Sequence, residues 1–242
     1  DALTTVLERA PQGATIVAAD GELVLSADRT ADILSVWARL RRRPDAEIAA
    51  AIDALHERFG GDWEPAADAR PCDAATLSSL AGRAPVQIGS HTVTHPSLAS
   101  HPAEHQAQEI ASGRATLEQI LGQPVTTLAY PFGAYNATVA AEAGKYYTTA
   151  RTTDGGFNTR GAINRTALTM HYVVTGTDAA TVAGWLDQAK NSGSWVILVY
   201  HGVTQGGDQY SVTPANFAAQ MAAVKASGIR AATVSAAYDA MS

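Results

Sequence analysis

Ile88-Gly89-Ser90-His91-Thr92-Val93-Thr94-His95-Pro96-Ser97-Leu98 is the stretch whose reading decides this chain. Two histidines stand four residues apart, after a short β-like run and just before a proline. If the backbone between them turns helically, residues four apart face the same way. Two neutral imidazoles then converge on one cation, and imidazole is a common ligand for zinc and its neighbours. Two surface histidines would show the same spacing, so the reading depends on the sequence around them.

Outward from this stretch the texture changes once. Upstream, from Asp1 to about Leu80, the pattern is mainly helical. Ala14 to Leu25 reads as two short strands around Asp20-Gly21, a good hairpin dipeptide. Thr30 to Leu40 and Asp45 to Phe59 read as helices, the second punctuated by Pro44 before it and Gly60-Gly61 after it. Asp62 to Pro71 is a polar Pro/Ala loop, and Thr76 to Leu80 starts another short helix. Downstream, strand and helix patterns alternate. Strands are expected at Val86–Gly89, Val125–Tyr130, Tyr146–Arg151, Trp195–His201 and Arg230–Val234. Helices are expected at Ala103–Leu121, Ala137–Gly144, Ala179–Gln188 and Pro214–Ser227. In the first of these Ile110, Leu117, Ile120 and Leu121 form the expected buried face, and Gly122 is the stop. Such alternation predicts an α/β fold with a largely parallel sheet, open or barrel-like. Two segments result, a helical and hairpin part over 1–73 and the α/β part over 74–242.

Composition narrows the function classes. The 242 residues are 46% hydrophobic and 17% charged, as in a folded chain able to bury a sizeable core. The net charge of -6 argues against an electrostatic grip on nucleic acid or an anionic membrane. The short basic run Arg39 to Arg43 reads as a solvated helix face. Cys72 is the single cysteine, so an intrachain disulfide and a cysteine-based zinc site are both excluded. No apolar run approaches the ~20 residues of a membrane span. The opening Asp1-Ala2-Leu3 is not the start of a secretion leader. It also lacks the Met of a translation start.

In α/β folds, ligand-binding loops gather at the C-terminal ends of the strands. Three candidate sites fall there: His91 and His95, then Tyr130-Pro131-Phe132-Gly133, then His201-Gly202. Together these residues resemble the polysaccharide deacetylases, the NodB-homology or carbohydrate esterase family 4 domain. Ile88 to Leu98 is similar to that family's H-[ST]-x-x-H-P motif. Ala129 to Asn136, AYPFGAYN, is similar to its third motif, and Leu198 to Val203, LVYHGV, to its last. The resemblance covers about Ala74 to the C-terminus. The part beginning Asp1-Ala2-Leu3 looks like an insertion found in some bacterial members.

The resemblance implies a distorted (β/α) barrel and a metal-dependent hydrolase. A divalent cation, usually zinc, sits on two histidines and one aspartate, leaving a position open for water or substrate. A second aspartate is the general base and a histidine the general acid. By resemblance His91 and His95 are the metal ligands and His201 is the acid. Phe132 supplies a backbone N–H and a groove wall, and Tyr130, Pro131 and Tyr135 line the sugar site. Arg151 and Asp154 fall where the family's fourth motif tunes the base, although an Arg–Asp salt bridge would explain them equally. The implied partner is an N-acetylated polysaccharide or oligosaccharide, and the implied location is extracytoplasmic or at the cell envelope.

One departure stands out. The family's first motif, a strand ending in paired aspartates, has no counterpart, because no Asp-Asp pair occurs in these 242 residues. Asp20 imitates a strand-end acid, but Asp20-Gly21 reads better as a turn. The expectation is therefore a barrel incomplete at its N-terminal side. The strand with the two acids would precede Asp1, and a second copy or a companion segment would cover the open edge. His101 and His105 repeat the four-residue spacing but read as surface residues at a helix start, with Pro102 in its first turn. Two function classes follow: a deacetylase of amino-sugar polymers, and a catalytically silent carbohydrate-binding module on the same fold.

Overall fold

The computed structural model describes residues 2–18, 21–60, 72–207 and 209–242. Asp20 and the Asp62–Pro71 loop lie outside the described residues.

The first 60 residues build a small core of their own. Helix α1 (Ala2–Arg9), the antiparallel hairpin β1 (Thr15–Ala18) and β2 (Gly21–Val24), α2 (Arg29–Leu40) and α3 (Asp45–Phe59) pack around Leu3, Leu7, Ile16, Val36, Leu40 and Leu55. The hairpin is the one expected around Asp20-Gly21. Helix α2 starts where Asp28 accepts a hydrogen bond from the Ala31 N–H (3.0 Å), satisfying a donor that the first turn leaves unpaired. Helix α4 (Ala74–Ala81) follows, capped in the same way by Asp73.

The remainder is α/β, as the alternation predicts. Its elements are α5 (Ala103–Leu121), β3 (Thr127–Ala129), α6 (Ala137–Tyr146), β4 (Thr149–Gly155), β5 (Asn158–Thr159), β6 (Leu168–Tyr172), α7 (Ala179–Ser192), β7 (Ser194–Trp195), β8 (Leu198–Val199), β9 (Gly202–Val203), β10 (Ser211–Val212), α8 (Pro214–Ala226) and α9 (Val234–Met241). Strands β3, β4, β6 and β8 lie side by side in that order and all run parallel. Ser90 extends the row beyond β3 through a parallel bridge to Leu128. The sheet is curled and open, part of a barrel. Its apolar filling falls into two clusters, one of Leu98, Ile110, Leu128, Val139 and Ala150 and one of Leu168, Met170 and Ile197. Among the described residues no helix is long and apolar enough to cross a membrane.

The strand expectations need three corrections. Val86–Gly89 forms no strand. Only Ser90 reaches the ladder, accepting from the Ala129 N–H (2.9 Å) and donating to the Thr127 carbonyl (2.8 Å). Arg230–Val234 is not a strand either: residues 230–233 form no ladder, and Val234 already belongs to α9. The apolar run Trp195–His201 is split. Trp195 pairs antiparallel with Asn158, while Leu198 and Val199 pair parallel with β6. An apolar run records that a segment is buried, but a ladder also needs a partner at the right register. Strand β6 occupies the middle of the row, and the strand-like stretch around His171 falls in it. Helix α9 closes on the 86–89 segment, where Gln87 bonds Ser235 through both ends of its amide.

Candidate metal and hydrolase site

Because the sheet strands run parallel, their C-terminal ends share one edge, and chemistry concentrates there. His91 follows Ser90 at that edge, Phe132 follows β3, and His201 follows β8. Ser90 and β8 stand at opposite ends of the sheet row. His201 is nevertheless close enough to disfavour a charge on His91 and on His95, which shows how far the sheet curls.

The two histidines do not converge by a helical turn. Thr92 and His95 both adopt left-handed backbone angles (φ 70° and 60°), and the His95 N–H bonds the Thr92 hydroxyl (3.1 Å). The loop folds back tightly and sets the two rings edge to face, 4.7 Å between centroids. Such angles cost a β-branched residue energy, so something must hold the loop. Glu109 on α5 does so. Its carboxylate accepts the Val93 N–H (2.8 Å), the Thr94 N–H (2.9 Å) and the Thr94 hydroxyl (2.9 Å). Gly113, one turn further on, lets α5 come close, since a Cβ there would lie 3.0 Å from Ser90 Oγ and from the Thr92 carbonyl carbon. The buried face of α5 is thus Gln106, Glu109, Ile110 and Gly113, while Ile120 is exposed, contrary to expectation. A glutamate on the same face as Ile110 was the available sequence signal for this role.

His91 Nδ1 lies 2.7 Å from the Ala129 carbonyl and donates to it. That fixes the tautomer and leaves Nε2 with its lone pair, the arrangement ligating histidines adopt. Both histidines keep an exposed face, and partial desolvation of the rest of each ring is the main reason they titrate below the ordinary value. For His91 the neighbouring His95, Arg151 and His201 add to it. Both rings are therefore held neutral, the form that binds metal.

The Tyr130–Gly133 turn stands beside them. Phe132 has φ 57°, and the turn's hydrogen bonds come from the Gly133 and Ala134 N–H groups, so neither uses the Phe132 N–H. Gly133 is required here: with φ +65°, a Cβ would collide with Thr153 Oγ1 at 2.0 Å. The Phe132 ring meets His95 edge to face at 4.6 Å. Tyr135 is half-buried and gives its hydroxyl to Asp154 (3.1 Å). Tyr130 and Pro131 do not line an open groove, as the resemblance implied. Both are buried, with Tyr130 stacked on Tyr135 and its hydroxyl bonded to the Thr166 carbonyl (2.8 Å). They support the site from beneath.

Arg151 bears on what the site lacks. It is half-buried, its guanidinium donates to the Thr152 carbonyl (3.2 Å), and desolvation pushes its pKa down. Asp154 pairs with Tyr135 and not with Arg151, so the salt-bridge reading fails. Among the described residues no group of three or more His, Cys, Asp or Glu could hold a metal. His91 and His95 fit two positions of a zinc or similar site. A third ligand is not among the described residues, and neither is an acid to balance Arg151.

His201 is exposed, with its ring 5.9 Å from Tyr210. The second histidine pair departs from expectation. His101 is buried and His105 half-buried, their rings 4.7 Å apart, and both Nε2 atoms are enclosed without a protein partner. The Leu98–Ser100 turn carries the chain inward just before Pro102, which places the pair inside.

Comparison with known proteins agrees in one region. Residues 70–150 match the family model described as polysaccharide deacetylase. Over 80 residues the chain is 48% identical to a gellan lyase of a Bacillus species, covering 32% of this chain and 3% of that protein's length. Among solved structures, the Streptococcus pyogenes deacetylase PplD in complex with acetate is similar at 25% identity and TM-score 0.40, over 43% of this chain and 45% of that one. The putative polysaccharide deacetylase BA0330 from Bacillus anthracis is similar at 25% identity and TM-score 0.39, over 51% and 42%.

Proposed function

From the match of residues 70–150 to the polysaccharide deacetylase family model, we propose that this chain carries the histidine half of a metal-dependent deacetylase acting on N-acetylated amino-sugar polymers. The observation that carries the reading is the paired His91 and His95 with His91 Nε2 left free, at the same sheet edge as His201. His91 and His95 would hold a divalent cation, zinc being the best match to imidazole ligands. Such an ion supplies Lewis acidity to an amide carbonyl and lowers the pKa of water. His201, exposed after β8, would hold the proton given to the leaving amine. The Phe132 N–H, outside the turn's hydrogen bonds, would donate to the carbonyl oxygen as negative charge develops there. Arg151, without an acid beside it, calls for a carboxylate in its vicinity, and a general base would meet that need. Location at the cell envelope, where such polymers occur, belongs to the same proposal.

A second reading has one observation in its favour. Without a third ligand or a base among the described residues, the segment could bind acetylated glycan and not turn it over. Acetate release separates the two. Residues 1–242 should release little acetate from N-acetylglucosamine oligomers with zinc added. A longer polypeptide that places an Asp-Asp strand ahead of residue 1 should release it readily and bind zinc more tightly. Equal failure of both would favour the silent module. Full zinc-dependent turnover by residues 1–242 would place the missing acids within this chain.

A further inference from the structure

We infer that Arg41 makes this site selective for N-acetylated glycans that carry a negative charge on a sugar next to the reacting one, a uronate carboxylate being the simplest case. The inference rests on the glycan reading above. Arg41 caps the C-terminus of α2, its N–H bonded to the Trp37 carbonyl (3.0 Å). It belongs to the basic run that the sequence presents as a solvated helix face. Its guanidinium instead lies over the Phe132 ring, 5.0 Å from the centroid, and that ring in turn touches His95. A cation from the first 60 residues thus stands one aromatic ring away from a candidate metal ligand.

Two features make this a binding group more than a packing contact. The first is that Arg41 has no acid partner among the described residues. Arg29 pairs with Asp32 (3.1 Å) and Arg43 with Glu47 (3.8 Å), both within the same stretch of chain. Contact with an aromatic face leaves guanidinium N–H groups available, and their fork matches a carboxylate in two parallel bonds. The second is the local charge. The chain as a whole carries -6, yet the two guanidinium groups of Arg151 and Arg41 stand at this site, Arg151 beside His91 and Arg41 over the Phe132 ring. Asp154, the acid at Tyr135, is already engaged. The Phe132 ring that seats the guanidinium packs edge to face on His95 at 4.6 Å. Trp37, 37% exposed, is one turn back on the same helix and offers an aromatic face nearby along the chain.

The test is calorimetric binding to residues 1–242 with no metal added, using two probes. One is a tetrasaccharide alternating N-acetylglucosamine and glucuronic acid, the other a neutral N-acetylglucosamine tetramer. The wild type should prefer the acidic probe by roughly fivefold at low salt, the scale of a partly exposed ion pair. Arg41→Gln should bring the ratio of the two affinities close to one, and Arg41→Lys should keep part of it. Raising salt from about 0.02 M to about 0.5 M should also erase the preference. A wild type that binds both probes equally overturns the inference and leaves the glycan reading standing, as does an Arg41→Gln variant that keeps the full preference. If the wild type binds neither probe, the glycan reading fails and takes the inference with it.

Discussion

Glu109→Ala should loosen the His91–His95 loop more than any other single change outside the histidines. The carboxylate accepts three hydrogen bonds at 2.8–2.9 Å from a loop whose Thr92 and His95 are in left-handed conformations. Charge-assisted bonds contribute about 1.5 kcal/mol or more each, which would sum to about 4.5 kcal/mol. Val93 and Thr94 are exposed, so water takes over some of the freed donors and the expected loss is about 2–3 kcal/mol. For a chain of this size that lowers Tm by about 5–10 °C. Zinc affinity should fall as well, because the ligands are no longer preorganised. Glu109→Gln is the informative companion. Its amide oxygen can take the Val93 and Thr94 N–H groups while its NH2 donates to the Thr94 hydroxyl, so it should recover most of both losses. Thermal unfolding and calorimetric zinc titration measure the two effects. A Glu109→Ala variant within about 0.5 kcal/mol of wild type, with unchanged zinc affinity, would refute this account of the loop.

Two further outcomes follow from the site. In a polypeptide that turns over, His201→Ala should lower kcat by roughly 10²–10⁴-fold on an amide and much less on an activated ester, whose leaving group needs no proton; equal losses on both would remove His201 from the acid role. Metal-free protein should lose stability on acidification, measured by urea unfolding across pH. His101, buried, and His171, half-buried, titrate below the ordinary 6.5 because the fold removes them from water. The unfolded chain therefore binds protons first as pH falls through about 6.5, and stability declines by up to roughly 1.4 kcal/mol per pH unit for each such group until the folded pKa is passed. Above that window these groups are neutral in both states and contribute no slope, so a flat profile below pH 6.5 would contradict the burial argument.

How much of this was legible beforehand depended on whether the signal was local. The His91–His95 spacing, the Tyr130–Gly133 turn and the LVYHGV strand end are short motifs, and each stands at the sheet edge where strand ends were expected to gather. Helix boundaries were also local: Pro102, Gly122 and the side-chain caps at Asp28 and Asn136 mark them directly. Non-local features were not legible. Strand β6 is central because of where the chain returns, which no property of LTMHY declares. The burial of Tyr130 depends on Tyr135 and Thr166, and the placement of Arg41 depends on Phe132, 91 positions away in sequence (132 − 41). The helical turn expected between the histidines gave way to a tight loop because a distant glutamate stabilises it.

The most direct test is long-range 15N–1H NMR of the imidazole nitrogens during zinc titration of residues 1–242. The account predicts that Nε2 of His91 and of His95 shift together on zinc addition while His91 Nδ1 stays protonated, held on the Ala129 carbonyl. Zinc that shifts His101 and His105 instead, or leaves His91 and His95 unmoved, would contradict a metal seat at this loop.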